Sequence, residues 1–397
     1  MSSYSKLITS IQESKTLAIT SLIKKLRAEG QEILSFSAGE PDFNTPEYIK
    51  FAAISAINKN KTKYTPVQGT AELIKSIIKK FKNENNLFFT NENILVSTGA
   101  KQSLFNVMMA LCNPGDEVIF QAPYWVSYPE ITKIAQAKPI VINTNTKSNF
   151  KINPEQLEKV ITEKTKIFLF NSPSNPTGTV YSKSEIRELA EVLISKDIFI
   201  LTDEIYEKII FDGEEHFSFG SIDELRDRTI TINGVSKAFA MTGWRIGYAG
   251  GNKGIIKLAK NLQSQSTSNA SSISQAAATA ALKGNGNEIK KMVEEFDLRR
   301  NYIVKELQSI ENLTCPKPKG AFYTFFDVSR YYNKSYNNFI VSDSISFCNY
   351  LLNEASIGLV PGVAFGNDNC VRMSYAASMK NIKEGINRLK KSLLKLS

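Results

Sequence analysis

The sequence predicts an α/β domain with a largely parallel sheet, followed by a smaller α+β domain. Three observations predict it. Six short runs (NILVS, EVIF, PIVI, KIFLF, IFIL and TITIN) are rich in β-branched residues, and helical stretches separate most of them. Several of these runs are apolar throughout, the pattern of strands covered on both faces. Toward the C-terminus the regular alternation stops and longer helical patterns take over.

Taken in chain order, PEYIKFAAISAIN repeats apolar residues at helical spacing through Ile49, Ala52, Ala53, Ala56 and Ile57. TAELIKSIIKKF does the same through Leu73, Ile74, Ile77, Ile78 and Phe81. The six strand runs and their helices then fill the large domain, residues 46–285. The smaller domain, 286–397, opens with the long helical stretch NEIKKMVEEFDLRRNYIVKELQSI. AFYTFFDV reads as a strand, SRYYNKSYNNF as a surface loop, SISFCNYLLNEA as a helix and VRMSY as a strand. In the final helix, Ile386, Leu389, Leu393 and Leu396 form an apolar stripe with the lysines on the other face. Residues 1–45 form an N-terminal arm, and the segment through Gly30 is expected to pack with the smaller domain. No internal repeat is present.

With 397 residues the chain is long enough for two or three domains, at roughly 100–200 residues each. No run approaches the ~18 apolar residues that span a bilayer. The N-terminus MSSYSKLITSIQESK lacks the basic-then-apolar pattern of a secretory signal, so the expected location is the cytoplasm. Cys112, Cys315, Cys348 and Cys370 form no CxxC pair and read as reduced, mostly buried thiols. The net charge of +10 is spread along the chain, which argues against a nucleic-acid patch. One number restricts the chemistry: there is a single histidine, His216, in the polar stretch FDGEEHFSF. A multi-histidine metal site is excluded, and no metal is expected. His216 itself reads as a loop residue, which leaves Lys, Tyr, Asp, Glu or Cys for acid–base work.

Open α/β sheets bind ligands at the carboxyl ends of their strands. After NILVS comes Thr98-Gly99-Ala100-Lys101-Gln102, with small residues at the start of a helix; this is an anion cradle or a glycine kept for turn geometry. Following EVIF, Tyr124 and Trp125 offer an aromatic face that could stack on a flat ring or pack in the core. NSPSNPTG, after KIFLF, holds Asn175 in a constrained turn. Asp203 directly follows IFIL and Thr202, where burial is costly without a partner, so it is expected to meet a cation. Past TITIN stands Lys237 among small residues, either a nucleophile with a lowered pKa or a surface lysine. Together the five strand ends offer a phosphate cradle, an aromatic plate, an amide, an acid and an amine.

The stretches SAGEPDFNTP, TKYTPVQG, STGAKQSLFN, APYWVSYPE, NSPSNPTG, TDEIYE, GVSKAFAMTGWRIGY, SQSTSN and VRMSYA carry a resemblance along essentially the whole chain. It resembles the class I aminotransferases of PLP fold type I, in the bacterial aspartate aminotransferase subgroup. SKAFAMTGWR, with Arg245 eight residues after Lys237, is the most specific of these motifs. The resemblance implies pyridoxal 5′-phosphate as cofactor, carried by Lys237 as an imine. Arg245 and the amides of Gly99, Ala100 and Lys101 would hold the phosphate, helped by Ser236. Tyr64 would reach the phosphate of a neighbouring subunit, making a homodimer with shared active sites. Trp125 would stack on the ring, Asp203 would pair with its nitrogen, and Asn175 and Tyr206 would bond its oxygen. Arg372, with the backbone at Gly39, Asn175 and Trp125, would hold the substrate α-carboxylate. The reaction implied is ping-pong transamination between amino acids and 2-oxoacids.

Two departures from the family pattern matter. A hydroxyl found three residues before the lysine in some relatives is here Gly234. The arm motif K-P-S-x-T reads Gln12-Glu13-Ser14-Lys15-Thr16, keeping Ser14 and Thr16 as substrate contacts but replacing the lysine that favours prephenate. Lys101, whose counterpart meets an acidic side chain in relatives, puts aspartate and glutamate first. Aromatic amino acids, prephenate, and a PLP-dependent lyase reaction are the alternatives.

Overall fold

The computed structural model describes residues 4–13 and 15–397, of which 15–18 and 20 are described by backbone alone. Seven strands form the main sheet: β1 (Ile94–Ser97), β2 (Glu117–Ala122), β3 (Lys138–Asn143), β4 (Thr165–Asn171), β5 (Phe199–Asp203), β6 (Thr229–Gly234) and β7 (Gly247–Gly250). Their order is β1-β7-β6-β5-β4-β2-β3. All neighbours are parallel except β7, which runs antiparallel to both β1 and β6.

The two-residue pleat sorts each strand's side chains to opposite faces. Val118, Phe120, Ile167, Leu169 and Leu201 face the helices Ala100–Leu111 and Lys253–Ser266. Ile119, Phe168, Phe170 and Ile200 face Pro154–Val160 and Lys183–Ile194. Both faces are dry, which is why these strands read as continuous apolar runs. The six expected strands are present, and the seventh was not anticipated. Its sequence, GYAG, has weak strand propensity. It forms because glycine lets β7 pass close under the chain: a Cβ on Gly247 would stand 2.1 Å from the nitrogen of Ala100.

The smaller α+β part is built on the antiparallel strands Tyr323–Asp327, Cys370–Ser374 and Val360–Pro361. Helices Asn287–Gln308, Ser344–Ala355 and Met379–Leu393 close its core around Phe296, Phe322, Phe347, Tyr375 and Leu389. The stripe residues Ile386, Leu389, Leu393 and Leu396 are all buried. Leu34 and Ser35 pair with Ile357 and Gly358, so the arm joins this part. Residues 6–12 do not. The turn of helix at Lys6–Thr9 packs on the helix Ser127–Ile134, and Gln12 N donates to Glu130 Oε2 at 3.1 Å. Further along the same segment Ile19 packs against Phe325, Val360 and Phe365, so the stretch through Gly30 divides its contacts between the two parts. The stretch read as a plain surface loop contains a small hairpin, Ser335–Tyr336 with Phe339–Ile340, and buries Tyr331. Among the described residues no helix is long and apolar enough to cross a membrane. All four cysteines are free thiols.

Candidate active site

The carboxyl ends of β1, β4, β5 and β6 open into a cavity of about 500 Å³. It is lined by Gly39, Ala100, Lys101, Trp125, Asn175, Asp203, Tyr206, Ser236, Lys237, Arg245 and Arg372. Eleven residues singled out from the sequence thus stand on one wall or another of the same space.

At the end of β1, Gly99 takes φ +88° and starts the helix Ala100–Leu111, whose N-terminus no side chain caps. Arg245, itself left-handed at φ 54°, lies across this turn. A Cβ on Gly99 would come within 2.2 Å of its Nη2. The guanidinium donates to the carbonyls of Thr242 (2.9 Å) and Thr98 (3.5 Å) and meets no carboxylate among the described residues. Lys101 stands nearby, its pKa lowered first by burial and then by Arg245. A helix N-terminus and the Arg245 guanidinium, with no carboxylate paired to it, make a site that fits a phosphate group.

The amide at the end of β4 is held twice. Asn171 accepts from Asn175 N at 3.0 Å and donates to the carbonyl of Asp203 at 2.8 Å. Asn175 Oδ1 in turn accepts from Arg372 Nη1 at 2.9 Å. Arg372 is 3% exposed; its Nη2 donates to the Ser37 carbonyl at 2.8 Å, and the guanidinium lies over the rings of Tyr323 (4.4 Å) and Phe365 (4.9 Å). Its Nε is buried without a partner, and no carboxylate pairs with it among the described residues. A buried planar fork of this kind suits a carboxylate.

Asp203 does not meet a side-chain cation, contrary to expectation. Its Oδ2 accepts from Tyr128 Oη at 2.9 Å and its Oδ1 from Ile205 N at 3.3 Å. Burial pushes its carboxyl up to about 6, against the pull of Tyr128 and the Ile205 amide. The cavity, not the protein, is left to supply the cation, and a pyridine nitrogen fits. The pH dependence follows from proton counts. Below the ordinary value of 3.8 both states hold the proton; as pH rises to about 6 the unfolded chain loses it first, so stability falls across that window. Asp203→Asn is therefore expected to stabilise the cofactor-free protein at pH 7.5 by up to about 3 kcal/mol, and to give no gain below pH ~4. Thermal melts at the two pH values check this.

Lys237, three residues beyond β6, donates to the Gly39 carbonyl and sits 5.8 Å from the Tyr206 ring centroid. Burial lowers its pKa to about 8; Glu40 opposes this, while Arg372 and Arg245 add to it. Tyr206 Oη lies 2.8 Å from Tyr323 Oη. Trp125 packs edge-on to Tyr128 and carries Lys101 Nζ 4.9 Å above its ring. Next to the main cavity is another, of about 670 Å³, which shares Lys101 and Arg245 and is also lined by Gln12. Tyr64 is not brought to either; it is 92% exposed. Ser14 and the side chain of Thr16 lie outside the described residues. Sequence reasoning missed Tyr128, Asn171 and Tyr323. Tyr128 follows Trp125 by three residues, a signal that was available, whereas nothing local marks Tyr323.

The family model for aminotransferase class I and II matches residues 31–389. The chain belongs to this family. It is 49% identical over 389 residues to the aspartate/prephenate aminotransferase of Nitrosomonas europaea, covering 97% of this chain and 98% of that one. With the aspartate aminotransferase of Bacillus subtilis it shares 44% over 393 residues, 99% of each. Among solved structures, the aspartate aminotransferase from Rhizobium meliloti superposes with a TM-score of 0.96 at 44% identity, over 100% of both chains. That of Thermus thermophilus with maleate gives 0.93 at 38%, covering 99% and 100%. The chain is thus a transferase of amino groups between amino acids and 2-oxoacids, with pyridoxal phosphate as its cofactor.

Proposed function

We propose that this aminotransferase takes the amino group of aspartate, or a similar acidic amino acid, and passes it to 2-oxoglutarate. The observation that carries the reading is the pair of cations on one cavity, Arg372 and Lys101. Two cations suit the two carboxylates of such substrates. The Thermus structure with maleate, a dicarboxylate, supports it.

When bound, pyridoxal phosphate supplies a reactive aldehyde carbon and an electron-accepting ring. The residues do the rest. Ala100 and Lys101 would offer backbone N–H groups to the phosphate, with Arg245 and Ser236 beside them; the Gly99 N–H, expected to join them, instead donates to the Ser97 carbonyl at 2.8 Å. Trp125 would cover the ring. Asp203 would keep a proton on the ring nitrogen, and Asn175 and Tyr206 would donate to the ring oxygen. Arg372 clamps the substrate α-carboxylate, with Asn175, Trp125 and the Gly39 backbone completing that subsite. The Lys237 amine would hold the aldehyde end of the cofactor and, once freed, would serve as the base that takes the proton from the substrate Cα. One 2-oxoacid leaves before the second enters, so the kinetics are ping-pong.

Tyr64 serves the phosphate of a second copy. Its exposure, together with the exposed apolar residues Phe51, Ile54 and Ile57 on the helix Glu47–Asn58, supports a homodimer with shared active sites. The division into arm 1–45, large domain 46–285 and small domain 286–397 belongs to the same reading, as does a cytoplasmic location. The name of the Nitrosomonas relative favours prephenate as a second acceptor.

The test is a panel of amino donors against 2-oxoglutarate and prephenate. Aspartate is expected to bleach the yellow holoenzyme and 2-oxoglutarate to restore it. Lys101→Ala should raise KM for aspartate about tenfold more than for an aromatic donor, one exposed carboxylate contact being worth about 1–2 kcal/mol. Ammonia released without any 2-oxoacid would instead identify a lyase.

A further inference from the structure

The only histidine has no part in the reaction so far, and it is not a surface residue. Asp203, Ile205 and Tyr206 face the cofactor cavity. Glu204 and Glu207, on the same turn, point the other way, and their side chains are 3% and 6% exposed. Glu204 Oε2 lies 2.9 Å from His216 Nε2 and accepts from Asn85 Nδ2 at 3.1 Å; its Oε1 accepts from Ser218 Oγ at 2.7 Å and Thr202 Oγ1 at 3.1 Å. Glu207 accepts from Asn85 Nδ2 at 2.7 Å and pairs with Lys80, itself 5% exposed. At the rim, Glu84 and Lys208 pair at 3.0 Å, with Glu84 also 3.8 Å from Lys80; Tyr248 of β7 stands close enough to feel Glu207, Glu84 and Glu204. Inside the nest there are two carboxylates and one permanent cation.

We propose that His216 is held as an imidazolium and acts as a positioning residue: with Lys80 it neutralises Glu204 and Glu207, leaving Asp203 as the one unbalanced charge on the cofactor-facing turn. A neutral His216 would leave a net negative charge beside Asp203, which would then hold its own proton more tightly. Glu204 already pushes Asp203 in that direction. A protonated Asp203 cannot hold a proton on the ring nitrogen. Burial works against the imidazolium, but Glu204 and Glu207 outweigh it and raise the His216 pKa above 6.5. Its stabilisation is therefore complete below pH 6.5 and is lost as pH rises through the folded value. Glu204, Glu207 and His216 offer three donor atoms within 4.8 Å of one another, a spacing that a metal could also use. Lys80 and the filled hydrogen bonds favour the proton.

With one histidine in the chain, a holoenzyme labelled at the histidine Cε1 gives one carbon NMR resonance per subunit. Its position at pH 7 is expected to be that of an imidazolium, with a midpoint above 6.5, and E204Q is expected to lower the midpoint. H216Q should lose pyridoxal phosphate on dialysis about tenfold faster than wild type, and H216Q/E204Q, which restores neutrality, should regain most of that retention. A neutral-imidazole position at pH 7, a midpoint that E204Q leaves unmoved, a double variant no better than H216Q, or a resonance that moves on adding a chelator would each overturn the proposal. The first reading uses wild-type protein, so it stands even if H216Q does not fold. The proposal rests on Asp203 holding the ring nitrogen, and D203N separates the two. If D203N also keeps its cofactor, that reading has failed; if D203N loses cofactor and H216Q does not, the proposal has.

Discussion

Lys237→Ala is expected to lower kcat by at least about 10⁴-fold while leaving the fold intact, the upper range for a lost general base. The side chain has two jobs in the proposed reaction, attachment of the cofactor and proton transfer at Cα; among the described residues the other amines lining the cavity are Lys24 and Lys101. Lys101 lines the same cavity but sits over Trp125. The burial that lowers Lys237 to about 8 also sets a pH signature. Capture of added pyridoxal phosphate by the cofactor-free protein should rise about tenfold per pH unit below 8 and level off above it, where an exposed lysine would keep rising to about 10.4. The same shift affects stability. Between about 8 and 10.5 the unfolded chain holds the proton more tightly than the folded one, so the penalty for burying this amine is full below that window and relieved above it. Borohydride reduction followed by peptide mapping identifies the attachment point, and a modified lysine other than Lys237 would sink the assignment.

Arg372→Ala is expected to cost about 10³-fold in kcat/KM for every substrate bearing an α-carboxylate, near 4 kcal/mol for a desolvated charge pair that loses one partner. Arg372→Lys should cost about 10²-fold. It keeps the charge but not the planar fork that Asn175 and the Ser37 carbonyl hold in place. The aromatic faces of Tyr323 and Phe365 confine the guanidinium plane, and an ammonium would not be confined in the same way. An amine donor lacking the carboxylate provides the control, since its rate should barely change. Wild-type kcat/KM for aspartate in the lysine variant would place the carboxylate elsewhere.

Much of this was legible along the chain. The six runs appear as β1 to β6; β2, β4 and β5 read as continuous apolar runs because a strand buried on both faces needs no alternation, whereas β3 at the sheet edge is only partly buried. Strand direction in a parallel sheet then brings the residues after β1, β4, β5 and β6 to one edge, so Gly99, Asn175, Asp203 and Lys237 could be picked out without coordinates. β7 was not legible, because its strand character comes from a close backbone passage and not from its own side chains.

The sequence by itself determined which residue types stand at the strand ends, and so the kind of chemistry on offer. Only the tertiary structure decided their electrostatic state. Tyr128 meets Asp203 across 75 positions, and Arg372 meets Asn175 across 197. His216, read from its polar neighbours as a loop residue, is folded inward against Glu204. Local composition sets propensity over a few residues, whereas desolvation and charge pairing depend on what the fold brings alongside.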